Sequence, residues 1–79
     1  MKEKIYNVLV LVLNDLKLEY LNDNTDLVED LGLDSLQTVK FLTLIEEKLD
    51  IEIDFEEFDL SLLNNFNSFC EFIELQKTA

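Results

Sequence analysis

Apolar residues recur at spacings of three and four near the start of the chain, at Ile5, Val8, Leu9, Val12, Leu13 and Leu16. That period gathers them on one broad face and predicts a helix over residues 2–17. Val10 and Leu11 fall off the face and predict that the buried side is slightly wider. A second periodic run, residues 35–49, has Val39, Leu42, Ile45 and Leu49 as its core stripe, widened by Thr38 and Phe41. Leu36, Gln37, Lys40, Thr43 and Glu47 fall on or near its outward side. Between the two runs lies a long connection punctuated by Asn22, Asp23, Asn24 and Thr25. Leu18, Leu21, Leu27 and Leu31 are spaced to tack it onto the core, and Thr25 is suited to cap a short turn.

After residue 49 the pattern changes. Ile51 and Ile53 alternate with Glu52, which predicts a short extended link with its apolar side inward. Asp54, with Glu57 three residues later, predicts the cap of a short third helix, with Ile53 and Phe58 at the staple positions and Phe55 and Phe58 as anchors. Leu60, Leu62 and Leu63 lead into the helix-breaking pair Asn64 and Asn65. The last helix is expected to start after Ser68, its cap completed by Glu71, with Phe66, Phe69, Cys70 and Ile73 on the inward edge and Phe72 widening it. These elements describe an all-α fold: a small four-helix bundle, three longer helices plus one short, with a long loop between helices 1 and 2. Residues 1–79 are read as one domain.

The start of the second helix carries the candidate chemistry. Gly32 is the only glycine of the chain, and it is followed by Leu33, Asp34, Ser35, Leu36 and Gln37. Asp34 is placed as N-cap and Gln37 completes a reciprocal capping box. Ser35 then falls at the first helical position, its hydroxyl at an exposed tip beside unpaired N–H groups and the positive end of the helix dipole, a setting that favours a phosphate. Gly32 permits positive φ in the preceding turn and keeps the approach to Ser35 open. The same features also describe an ordinary capped helix after a turn.

Composition narrows the function classes. Eighteen acids against six bases give a net charge of −12, which repels nucleic acid and anionic membranes and favours basic protein partners. The chain has no His, so Ser-His and Cys-His catalysis are excluded. Residues 23–34 do not make a calcium loop, because Val28 stands where an EF-hand needs its sixth-position glycine, and no metal site is expected. A single cysteine, Cys70, excludes an internal disulfide and reads as a small core hydrophobe. The apolar run Val8 to Leu13 is too short to span a bilayer, and no cleavage site follows it, so a cytoplasmic setting is expected.

Asp34, Ser35 and Leu36, preceded by Glu29, Asp30, Leu31 and Gly32 and followed by Thr38 and Val39, resemble the 4′-phosphopantetheine attachment site of acyl and peptidyl carrier proteins. Further similarity runs through Leu44, Ile45, Glu46, Glu47, Lys48 and Leu49, and through Ile51, Glu52 and Ile53. The resemblance implies a four-helix fold with no catalytic residue of its own. It implies that Ser35 accepts 4′-phosphopantetheine from coenzyme A through a phosphopantetheinyl transferase, with Gly32, Asp34 and Leu36 as flanking recognition positions. The arm would hold acyl or aminoacyl groups as thioesters. A monomeric carrier would take them from a loading ligase and present them to synthase, condensation or transferase enzymes.

The implied docking surface is Asp34, Leu36, Gln37, Lys40, Thr43, Glu46 and Glu47. The sequence departs from the fatty-acid type at Gln37 and Lys40, where acids are usual, at Thr43, often Met, and at Asp54, commonly Pro. Those departures favour a specialised polyketide, nonribosomal-peptide or D-alanyl-transfer pathway, with primary fatty-acid synthesis as the alternative. An unmodified acidic helical interaction module is the reading from another class.

Overall fold

The computed structural model describes residues 2–13 and 21–78. In chain order the elements are helix α1 (Lys2–Leu13), helix α2 (Ser35–Leu49), strand β1 (Ile51–Glu52), a 3₁₀ helix (Leu60–Asn64), helix α3 (Phe66–Glu74) and strand β2 (Lys77–Thr78). The expected all-α architecture is present, with a two-residue strand pair added to it. The expected end of the first helix at Lys17, with Leu16 and Leu18, lies outside the described residues.

Helix α1 buries Ile5, Val8 and Leu9, with Val10, Val12 and Leu13 half-buried and Leu11 exposed, so the buried side widens toward Val10 alone. Helix α2 buries Thr38, Phe41, Leu42 and Ile45. Phe41 stacks on Phe69 of α3 with ring centroids 5.2 Å apart, which ties these two helices together at the centre of the core. Side chains of this kind each gain roughly 1.5–3 kcal/mol on full burial. Val39 was expected in that stripe and is instead 65% exposed. Its place is taken by Thr38, whose hydroxyl donates to the Asp34 carbonyl at 2.7 Å and so enters the core with its polar atom satisfied.

The connection before α2 is held from both sides. Leu27 and Leu33 are buried, and Leu21 and Leu31 pack against them half-covered. The Leu27 N–H donates to the Leu63 carbonyl at 2.8 Å, and Phe66 and Asn67 donate to the Thr25 and Asp23 carbonyls, each at 2.9 Å. Asp26 caps the turn here, its Oδ1 accepting from the N–H groups of Val28 and Glu29. Thr25 does not cap it. Its hydroxyl oxygen accepts backward, from the Asn22 N–H at 2.8 Å.

Beyond α2 three expectations are corrected. Asp54 does accept from Glu56, but residues 55–57 make a single turn, and Phe55 is 56% exposed rather than anchored. The short helix lies further on, at Leu60–Asn64, where Asp59 accepts from the Ser61 N–H and buried Leu63 fixes it to the core. That bond holds the exposed Asp59 carboxyl below its ordinary pKa. Helix α3 starts at Phe66 with Asn65 as its cap, accepting from the Ser68 N–H at 2.9 Å, so Ser68 is capped rather than capping. The tertiary bonds from Phe66 and Asn67 fix this earlier start. Phe66, Phe69, Cys70 and Ile73 are buried as expected, with Phe72 half-buried beside them. Burial pushes the Cys70 thiol up to about 12, in keeping with a core residue.

Ile51 and Ile53 face inward, and β1 pairs with β2 antiparallel, Ile51 opposite Thr78 and Glu52 opposite Lys77. No described helix is long and apolar enough to cross a membrane. No group of three or more metal-ligating side chains occurs among the described residues.

Candidate functional site

Ser35 opens α2 and is exposed. Asp34 adopts extended backbone, and its Oδ1 accepts from the Gln37 N–H at 2.8 Å. The Gln37 side chain accepts in turn from the Asp34 N–H at 3.2 Å, completing the box. The Thr38 N–H donates to the Asp34 carbonyl at 2.8 Å. That is the first bond of the helix's own ladder; of the four donors before it, those of Asp34 and Gln37 are satisfied by the box. The N–H groups of Ser35 and Leu36 are left for an incoming anion, on the favourable end of the helix dipole. The box also leaves the Ser35 hydroxyl out of the capping.

The approach to Ser35 is built by a turn that ends just before it. The Asp30 N–H donates to Asp26, the Gly32 N–H to Val28 at 3.0 Å, and Gly32 closes the turn at φ +74°. This is the left-handed helix ending that glycine adopts without strain. Space is not what requires glycine there, because a Cβ on Gly32 would meet nothing within 4 Å. Leu33, absent from the expected anchors, is buried and fixes the two-residue bridge between that turn and the cap. Its signal was available, since it is the one apolar residue between Gly32 and the N-cap.

The predicted docking residues divide. Leu36 is 83% exposed and lies one turn before the exposed Val39. With Lys40, Thr43 and Glu47 they line one shallow groove along α2, floored by half-buried Leu44. Gln37 borders this groove while serving the capping box. Glu46 leaves it, because its Oε2 accepts from the Ile53 N–H at 3.0 Å and holds the link after α2. Val39 was missed because its helical spacing with Leu42, Ile45 and Leu49 assigned it to the core.

A family model described as a phosphopantetheine attachment site matches residues 3–73. The chain belongs to the phosphopantetheine-bearing acyl and peptidyl carrier proteins. Three proteins named acyl carrier protein are among its relatives, from strains Tuc7, 5A and APS of Buchnera aphidicola subsp. Acyrthosiphon pisum. Each is 37% identical over 60 residues, covering 76% of this chain and 72% of the relative. The cofactor of this carrier is covalent 4′-phosphopantetheine. The described residues fit it: an exposed serine hydroxyl with two free N–H groups beside it suits a phosphodiester.

Proposed function

We propose that Ser35 carries the 4′-phosphopantetheine arm, and that residues 1–79 act as one monomeric carrier domain presenting acyl groups to fatty-acid-type biosynthetic enzymes. The observation that carries this reading is an exposed serine at the first position of a helix whose capping is done entirely by its neighbours. Ser35 Oγ is the nucleophile toward the pantetheine-bearing phosphorus of coenzyme A: the new O–P bond forms as the pyrophosphate bond breaks, and adenosine 3′,5′-bisphosphate leaves. The neighbouring Asp34 carboxylate is engaged by the Gln37 N–H, so the hydroxyl proton passes to a base on the transferase, which would also supply the metal. The arm, once attached, supplies the thiol that holds cargo as a thioester. The chain's own contribution is to orient the attachment point, to leave its phosphate on the free N–H groups of Ser35 and Leu36, and to offer α2 for docking.

Transferase, loading ligase and downstream enzymes would meet the groove of Leu36, Val39, Lys40, Thr43 and Glu47. A shuttle must bind several partners and leave each, which suits a small apolar contact inside a steering field of net charge −12. A free buried thiol fits a reducing, cytoplasmic setting.

Incubating the pure chain with coenzyme A, magnesium and a promiscuous phosphopantetheinyl transferase should add one arm by intact mass. Ser35→Ala should abolish that gain with the melting temperature unchanged. An arm found on the variant, at Ser61 or Ser68, would overturn the assignment, and no arm on wild type would favour the unmodified interaction module.

Acyl cargo is favoured over aminoacyl cargo because the relatives are named acyl carriers. A specialised pathway remains the second reading on one observation, the exposed Lys40 in the middle of the docking groove, where a basic enzyme surface meets like charge. If fatty-acid enzymes use the wild-type carrier as well as they use Lys40→Glu, the fatty-acid reading stands. A large gain on charge reversal would favour the specialised one.

A further inference from the structure

A second groove lies past the C-terminal end of α2. The fifteen residues of α2, at 1.5 Å rise each, set it about 22 Å along the axis from Ser35. One wall is the link 52–57, and the other is the end of α3 with the tail after it. Phe55 and Leu75, 56% and 83% exposed, flank it from opposite walls, and the tilted ring pair of Phe58 and Phe72 supports it. The walls are latched together: the Asp54 N–H donates to Gln76 Oε1 at 2.7 Å, and Gln76 Nε2 donates to the Phe72 carbonyl at 2.9 Å. The groove is therefore preformed, and an occupant need not order it.

Its rim is one-sided. Glu52, Asp54, Glu56 and Glu57 are exposed along the link, against the single ammonium of Lys77, which stands opposite Glu52 in the strand pair. Two exposed apolar side chains, Phe55 and Leu75, ringed by carboxylates reject a second copy of a chain charged −12, and reject anionic lipid and nucleic acid for the same reason. We propose that this groove is a docking site, separate from the α2 face, for a basic peptide segment that places one apolar side chain between Phe55 and Leu75. Such a segment would hold the carrier by its far end while Ser35 and α2 stay open to other enzymes.

The probe is a short lysine-rich peptide with one central leucine, titrated into the whole chain of residues 1–79, with amide chemical shifts as the readout. Its control is the same peptide with serine in place of leucine. Shifts should concentrate at Phe55, Leu75 and Lys77, with Leu36 and Val39 unmoved. The serine peptide should bind about tenfold more weakly, as expected for loss of an anchor. Phe55→Ser and Leu75→Ser, both on exposed side chains, should each weaken the leucine peptide by a similar factor while leaving its spectrum otherwise folded. Equal binding of the two peptides would reduce the effect to general charge attraction and overturn the proposal. So would shifts centred on the α2 groove, or concentration-dependent self-association through Phe55 and Leu75.

Discussion

The two ends of α2 deal with unpaired backbone groups in opposite ways. At the N-terminus everything is local: Asp34 and Gln37, three residues apart, satisfy one another, and the turn ending at Gly32 delivers the chain to them. At the C-terminus the local device is slight. Asp50 takes the left-handed conformation at φ 56° and its N–H returns to the Glu46 carbonyl. Distant partners then hold the next residues, Ile51 by Thr78, Glu52 by Lys77 and Asp54 by Gln76. The proposed attachment end needs a defined backbone with an unencumbered hydroxyl, and local capping supplies it without covering the serine. The far end has no such demand and is closed by the tail.

The largest expected effect comes from the contact both ends share. Phe69→Ala removes the partner of Phe41 from a fully buried position and should cost about 3–5 kcal/mol, a large part of the stability of so small a domain. Cys70, buried next to it in sequence, gives the readout, since its thiol is protected in the folded chain. Wild type should resist thiol reagents at neutral pH, and the variant should react quickly. If the variant stays protected, the ring pair is peripheral and the two ends are not one cooperative unit. The same thiol sets a pH limit. Its folded value is raised from 9.0 to about 12, so above pH 9.0 the unfolded state sheds the proton first. Stability is intact below that pH and falls as pH rises toward about 12.

Next in size is a matched pair that separates the ends. Asp34→Ala removes the cap and should cost about 1 kcal/mol. It should also slow modification of Ser35, because the first turn then frays. Gln76→Ala removes the bridge between Asp54 and the Phe72 carbonyl and should cost about the same, a hydrogen bond's worth on each side being modest in partly exposed positions. It should leave the rate of Ser35 modification unchanged. Amide exchange checks the division: faster exchange near Gln37 for the first variant, and near Asp54 for the second. Equal loosening of both ends by either variant would dissolve the contrast.

That contrast also explains what the sequence made legible. The boundaries of α2 and its capping box follow from residues within four positions of one another, and Ser35 with them. The strand pair joins residues far apart in the chain, and its second partner, Lys77–Thr78, has no strand pattern of its own, so only half of it, the extended link at Ile51 and Ile53, could be read. The start of α3 shows the intermediate case. Asn65 and Ser68 both suit an N-cap, and the choice is made by the Phe66 and Asn67 donors reaching back to Thr25 and Asp23, in the connection before α2. The outward groove along α2 was legible at Leu36, Lys40, Thr43 and Glu47. It was not at Val39, because helical periodicity fixes a face only to within about one residue when Thr38 and Val39 compete for it and the hydroxyl of Thr38 can be satisfied internally.

The smallest expected effect tests the local device at the far end. Asp50 sits at φ 56°, where an L side chain meets the backbone unfavourably, though Asp tolerates the region better than most. Asp50→Gly removes that strain and keeps the N–H bond to Glu46, while adding freedom to the unfolded chain. The two effects oppose, and the net should be a gain of a few tenths to about 1 kcal/mol, read as a rise in melting temperature. The substitution also deletes one of six acids among residues 50–59, whose mutual repulsion is itself destabilising. Asp50→Asn separates the causes, since it removes the charge and keeps a side chain that tolerates the same backbone. A clear rise for glycine and a smaller one for asparagine, both at high salt, would assign the gain to backbone geometry. Equal rises that vanish when salt screens the acids would assign it to charge, and the left-handed cap would then carry no measurable strain.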